Sequence, residues 1–144
     1  MKVNVELSAD YKTPYAVIYT DQVTEEIQRI IEILGTSDTP ITAQYQDKIL
    51  ILQPKEIYMV RVEGGETVIY GSTETYYSKK RLYELGLQLG KQFMQISKTT
   101  LINLSYLDSI EAGFKGTMML KLKNGCKDYV SRKYLPEFKQ YLGL

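Results

Sequence analysis

Polar and apolar residues alternate over Lys2-Val3-Asn4-Val5-Glu6-Leu7, as in a half-buried strand. Pro14-Tyr15-Ala16-Val17-Ile18-Tyr19 is rich in β-formers and predicts a second strand. The period then changes. Val23, Ile27, Ile30, Ile31 and Leu34 fall on one helical stripe, with Asp21 or Thr20 able to cap its start and Gly35 its end. The polar run Thr36–Pro40 is the expected linker.

Beyond it the pattern is mostly strand. Ile41–Tyr45 and Lys48–Leu52 predict a hairpin around Gln46-Asp47. Strands at Glu56–Val62 and Thr67–Tyr70 flank Glu63-Gly64-Gly65-Glu66, whose paired glycines permit the positive φ of a tight turn. Thr75–Ser78 is a short strand rich in tyrosine. Lys80–Gly90 is a helix with Leu82, Leu85 and Leu89 on one face. Strands follow at Phe93–Ile96, Leu107–Glu111 and Thr117–Lys123, the last two around a Gly-Phe-Lys-Gly turn. Asn124-Gly125 joins the latter to Cys126–Val130, the clearest short hairpin signal in the chain. Tyr134, Leu135, Phe138, Tyr141 and Leu142 form the stripe of a closing helix, with Pro136 in its first turn. The expected class is mainly β with short helices (α+β): a strand-strand-helix extension over residues 1–40, then an antiparallel β domain over residues 41–144.

Composition narrows the chemistry. The 144 residues suffice for one domain with a real core. The chain has no histidine and one cysteine, Cys126. Serine triads, Cys-His pairs, intramolecular disulfides and His- or Cys-based metal sites are therefore excluded. No paired-acid or Gly-rich phosphate motif is present, so an enzyme is not expected, and neither is a cofactor. Gly86–Gly90 ends a helix instead of starting one and is no nucleotide fingerprint. No secretory signal pattern or long apolar run appears, and the expected location is cytoplasmic.

Net charge is +1, but it is unevenly spread. Residues 1–44 carry three Lys/Arg against seven acids, residues 45–144 fifteen against ten, and residues 112–144 seven against two. The basic C-terminal part points to an anionic partner.

The blocks over residues 54–144 resemble the LytTR-type DNA-binding domain. Glu56-Ile57-Tyr58-Met59-Val60 is similar to the family's opening strand and Lys80-Arg81-Leu82-Tyr83-Glu84-Leu85 to its helix. Phe93-Met94-Gln95-Ile96-Ser97-Lys98-Thr99-Thr100-Leu101-Ile102-Asn103 resembles its central block. Leu122-Lys123-Asn124-Gly125 and Val130-Ser131-Arg132-Lys133-Tyr134-Leu135 resemble its ending. The first residues resemble the extension of short standalone members, with no receiver domain.

The resemblance implies an elongated β fold lying along duplex DNA, with loops in successive major grooves and a bent duplex. It places the contacts at the turn Arg61–Thr67, with Arg61 and Glu66; at Ser97, Lys98 and Thr99; and at Ser131, Arg132 and Lys133. Histidine stands in many relatives where this chain has Ser97, and arginine or asparagine where it has Lys98, which bears on sequence preference. The resemblance also implies a homodimer on repeated half-sites and an inhibitory membrane protein as partner.

The residue types suit these contacts without singling them out, and an ordinary polar turn is the plain alternative for Ser97-Lys98-Thr99. Arg132 suits a bidentate contact to guanine, while Ser131 and Lys133 suit phosphates. The plain alternative for Ser131 and Arg132 is a helix cap and a solvated first-turn residue. Asn103 reads as a structural residue bonding nearby backbone. Tyr76, Tyr77 and Tyr83 read as packing residues, and Cys126 as a small buried one. A rival reading is a protein-interaction module that titrates a partner without binding DNA. A ligand sensor built on the first 40 residues is the remaining alternative.

Overall fold

The structure is a computed structural model that describes residues 1–12, 14–34 and 40–144. Gly35 and most of the expected linker lie outside the described residues. Helix α1 spans Glu25–Leu34. Among the described residues ten strands follow: β1 (Ile41–Tyr45), β2 (Lys48–Leu52), β3 (Met59–Glu63), β4 (Glu66–Tyr70), β5 (Thr75–Ser78), β6 (Phe93–Ser97), β7 (Thr100–Asn103), β8 (Leu107–Ala112), β9 (Met118–Leu122) and β10 (Lys127–Val130). Helix α2 (Leu82–Leu89) sits between β5 and β6, and α3 (Leu135–Leu142) follows β10.

The strands form two antiparallel sheets. The larger has the order β2-β1-β5-β4-β3-β7-β6 and the smaller β10-β9-β8. Helix α2 covers one face of the large sheet, where Leu82, Leu85 and Leu89 meet Val60, Ile69 and Leu101. The small sheet and α3 cover the other face, where Leu120, Leu122, Val130 and Phe138 meet Met59, Ile96 and Ile102. Successive residues of a strand point to opposite faces, so β3 and β7 serve both cores: Met59 and Ile102 one, Val60 and Leu101 the other. All four residues of β7 are buried. That double burial explains why β7, Thr100-Leu101-Ile102-Asn103, shows no alternation of polar and apolar positions, and why the sequence pattern does not isolate it.

Turns form where the pattern places them: two-residue turns at Gln46-Asp47 and Gly64-Gly65, and a three-residue turn, Lys123-Asn124-Gly125, between Leu122 and Cys126. Gly64 and Gly65 have φ of +56° and +81°, a pair that side chains resist. Pro136 lies in the first turn of α3, where its missing N–H leaves no bond unmade.

Several expectations require correction. Residues 2–7 and 14–19 are not strands. Alternation yields a strand only if a neighbour supplies the backbone ladder, and none is paired here; Val3, Val5, Leu7, Tyr15, Val17 and Tyr19 are all exposed. Among its described residues the extension thus contributes one helix and no strand. Its cap is Thr24, whose Oγ1 accepts from Ile27 N–H at 3.4 Å. The strand expected from Glu56 begins at Met59, because Pro54–Glu56 forms a 3-10 turn. Cys126 lies outside β10 and is half-buried. Tyr76 packs against Tyr45 and the α2-side core, but Tyr77 and Tyr83 are exposed.

Candidate nucleic-acid interface

Strand register gathers distant loops at one end of the molecule. Arg61 of β3 stands opposite Thr100 of β7, so the β3–β4 and β6–β7 turns lie side by side. Val62 N–H donates to Thr99 O at 2.9 Å and ties them. In the small sheet, Ala112 and Val130 both face Met118, so the β8–β9 loop and the exit of β10 share this end. Ser131 N–H then donates to Ile96 O at 2.9 Å, joining that exit to the end of β6. The segments 97–99 and 131–133, more than thirty residues apart in the chain, become neighbours through this one bond.

Lys98, Thr99, Arg132 and Lys133 are exposed, and Ser97 and Ser131 half-buried. Ser97 Oγ accepts from Thr99 N–H at 3.2 Å, which shapes the turn that presents Lys98. Ser131 does not cap α3 with its side chain; its carbonyl accepts from Tyr134 N–H. Arg132 donates from Nε and Nη2 to Lys115 O, at 3.1 and 2.6 Å, and so braces the β8–β9 loop. Glu66 is exposed at the start of β4.

Arg61 is differently placed. Its guanidinium contacts Glu63 Oε1 at 2.5 Å, Tyr70 Oη at 3.1 Å and Asp128 Oδ2 at 3.4 Å. Tyr70 also donates to Glu63. This hydrogen bond and the guanidinium hold the Glu63 carboxyl below the usual range, against the opposing effect of burial. Burial, then the Glu63 carboxylate, raises the Tyr70 phenol. Arg61 is thus engaged inside the protein, and the acid beside the turn is neutralised by it.

The geometry also brings in cations that the sequence pattern did not single out. Thr67 pairs with Ser78, so Lys79, Lys80 and Arg81 leave β5 at this same end. Arg81, Tyr83, Gly65 and Lys98 border an open groove of about 360 Å³ between α2 and the two turns. A short run of three basic residues directly after a strand was the available signal.

A β domain that presents several polar and cationic loops from one end is of the nucleic-acid-binding class. The comparisons with known proteins agree. The family model described as the LytTr DNA-binding domain matches residues 47–143, and the chain belongs to that family. An uncharacterized HTH-type transcriptional regulator of Staphylococcus aureus is 29% identical over all of this chain and 99% of its own length. The sensory transduction protein LytT of Enterococcus faecalis is 31% identical over 76% of this chain and 46% of its own length. In fold, the chain is similar to the LytTr DNA-binding domain of a methyl-accepting/DNA response regulator from Bacillus cereus. The TM-score is 0.69 at 20% identity, over 75% of this chain and all of that one.

Proposed function

We propose that this DNA-binding transcription regulator reads duplex DNA with the loop-bearing end. Ser97-Lys98-Thr99 and Ser131-Arg132-Lys133 enter one major groove, the β3–β4 turn with Glu66 contacts the adjoining stretch, and the duplex bends around the end. The observation that carries this reading is the Ser131–Ile96 bond, which sets two separately encoded hydroxyl-and-cation loops beside each other. Lys98, Lys133 and the Lys79–Arg81 run supply phosphate contacts; Arg132, whose Nε–Nη2 edge holds Lys115 O, turns its Nη1–Nη2 face to guanine. The protein acts in the cytoplasm without catalysis, as a homodimer on paired half-sites. Support for the dimer comes from the exposed Val3, Val5 and Leu7 and from the edge strand β2, which presents Ile49 and Ile51 to solvent. Val3, Val5 and Leu7 changed together to Ser should shift the sedimenting species from dimer to monomer. A wild-type monomer at high concentration refutes the dimer.

Fluorescence anisotropy against DNA from upstream of its own gene, beside a scrambled duplex and across a salt series, tests the whole reading. About six phosphate contacts give a log–log salt slope near −5. Arg132→Ala should lose about 1–3 kcal/mol on the preferred duplex and little on the scrambled one. Equal losses on both would reassign Arg132 to a phosphate. No binding to either duplex by folded protein would favour the interaction-module reading.

A further inference from the structure

The β8–β9 loop, Gly113-Phe114-Lys115-Gly116-Thr117, carries a feature that the fold does not use. Phe114 is 74% exposed and belongs to neither core. An exposed aromatic at a hairpin tip gains nothing from burial, yet the backbone beneath it is held from several sides. Gly113 N–H donates to Thr117 O at 2.8 Å, and Phe114 O accepts from Thr117 N–H at 3.2 Å and from its hydroxyl at 2.7 Å. A Cβ on Gly113 would come within 2.5 Å of Thr117 Oγ1, so the loop needs glycine there. Lys115 takes φ +52°, which a side chain resists, and its carbonyl is clamped by the fork of Arg132. Lys115 Nζ lies 5.3 Å from the Phe114 ring centroid.

An apolar ring is therefore fixed at the tip of a braced loop, with a cation beside it, and its brace belongs to the segment that the proposed function assigns to DNA. The occupant of such a surface must be anionic and must also offer a flat apolar face. Stacked base pairs between phosphates do both. Apolar side chains pushed against a base step unstack it and kink the duplex. We infer that Phe114 is a wedge that packs into a base step at the edge of the bound site, with Lys115 on the flanking phosphate and Arg132 as the brace. This deepens the DNA reading and rests on it.

The test uses the full chain and a duplex that the wild type binds, with 2-aminopurine scanned through the site and end labels reporting the bend by energy transfer. The wild type should raise 2-aminopurine fluorescence at one step. Phe114→Ala should melt like the wild type, abolish that rise, reduce the bend and weaken binding five- to thirtyfold. Its salt slope should be unchanged, because a phenyl ring neutralises no phosphate. Phe114→Leu should retain most of the rise. Lys115→Ala should instead lower the slope by about one. If Phe114→Ala binds and bends DNA like the wild type, the wedge is refuted while the DNA reading stands. The wedge is equally refuted if that variant loses only binding to anionic phosphatidylserine vesicles. If the wild type binds no duplex, the DNA reading fails and the wedge falls with it.

Discussion

Asp128 is the residue through which the small sheet grips the large one by charge. Its Oδ2 accepts from Thr100 Oγ1 at 2.8 Å and faces Arg61 Nη1 at 3.4 Å. Among the described residues this is the only ion pair that joins the two sheets. Thr100 is fully buried, so Asp128→Ala strands a hydroxyl whose remaining side-chain neighbour, Thr99 Oγ1, stands at a marginal 3.5 Å. Losing a hydrogen bond to a charged acceptor costs about 1.5–3 kcal/mol. The long, partly exposed ion pair adds at most about 1 kcal/mol, since solvent screens it. The expected total is ~2–4 kcal/mol, a fall in urea midpoint of roughly 1–2 M at the slopes of a chain this size. Asp128→Asn keeps an oxygen for Thr100 and should cost about 1 kcal/mol. Thr100→Val in the Asp128→Ala background removes the stranded hydroxyl and should recover part of the loss, which a double-mutant cycle measures. An Asp128→Ala midpoint equal to the wild type's, or equal losses for Ala and Asn, would refute this reasoning.

Other expectations concern single residues. Asn103, 3% exposed, donates to Ile57 O at 2.9 Å and accepts from Ser105 N–H at 3.0 Å. Asn103→Ala leaves the buried Ile57 carbonyl without this donor, while the N–H of exposed Ser105 can turn to water, and should cost ~1–3 kcal/mol in urea unfolding. Because the Glu63 carboxyl is held low, its contribution to stability is complete above the ordinary carboxylate range and is lost as pH falls through the lowered value. Glu63→Gln should therefore lower the urea midpoint slightly at pH 7, by less than about 1 kcal/mol for so exposed a group, and the difference should vanish once the pH has fallen through the lowered value. Burial raises the Cys126 thiol, so iodoacetamide at pH 8 should label it more slowly in folded than in unfolded protein.

What was legible in the sequence follows a physical boundary. Turns declare themselves locally: Gly64-Gly65 and Asn124-Gly125 need only their own φ preferences, and those hairpins stand where they were expected. The stripes of α2 and α3 depend on one apolar face and were legible too. Strands depend on partners. Residues 2–7 have the same alternation as many strands and no ladder to join, whereas β7 lacks alternation because cores cover both its faces. The surroundings of Arg61 were illegible for a similar reason, since Asp128 lies 67 residues further on and reaches it only once the sheets pack. Lys98 and Ser131 could be singled out in sequence, but that they adjoin is a fact of register. Helix–turn–helix architecture, which the name of the Staphylococcus aureus relative invokes, is not how this chain is built. Strands separate α1 from α2, and α2 from α3.

Charge in the β3–β4 turn poses a final question, because two glutamates flank it at an end otherwise lined by cations. Glu63 and Glu66 stand opposite each other across the hairpin. The first is neutralised by Arg61 and Tyr70, so it presents little field to phosphate. Glu66 has no such partner among the described hydrogen bonds and ion pairs and remains an exposed anion. Against the DNA backbone it only repels; against a base edge in the major groove it can accept from the amino group of cytosine. These two effects separate by substitution. Glu66→Ala removes the repulsion and should tighten binding to scrambled DNA, with a steeper salt slope. If Glu66 also reads a base, the same variant should weaken binding to the preferred duplex by about 1–3 kcal/mol. Tighter binding to both duplexes in equal measure would leave Glu66 a bystander and assign all recognition to the loops that carry Lys98 and Arg132.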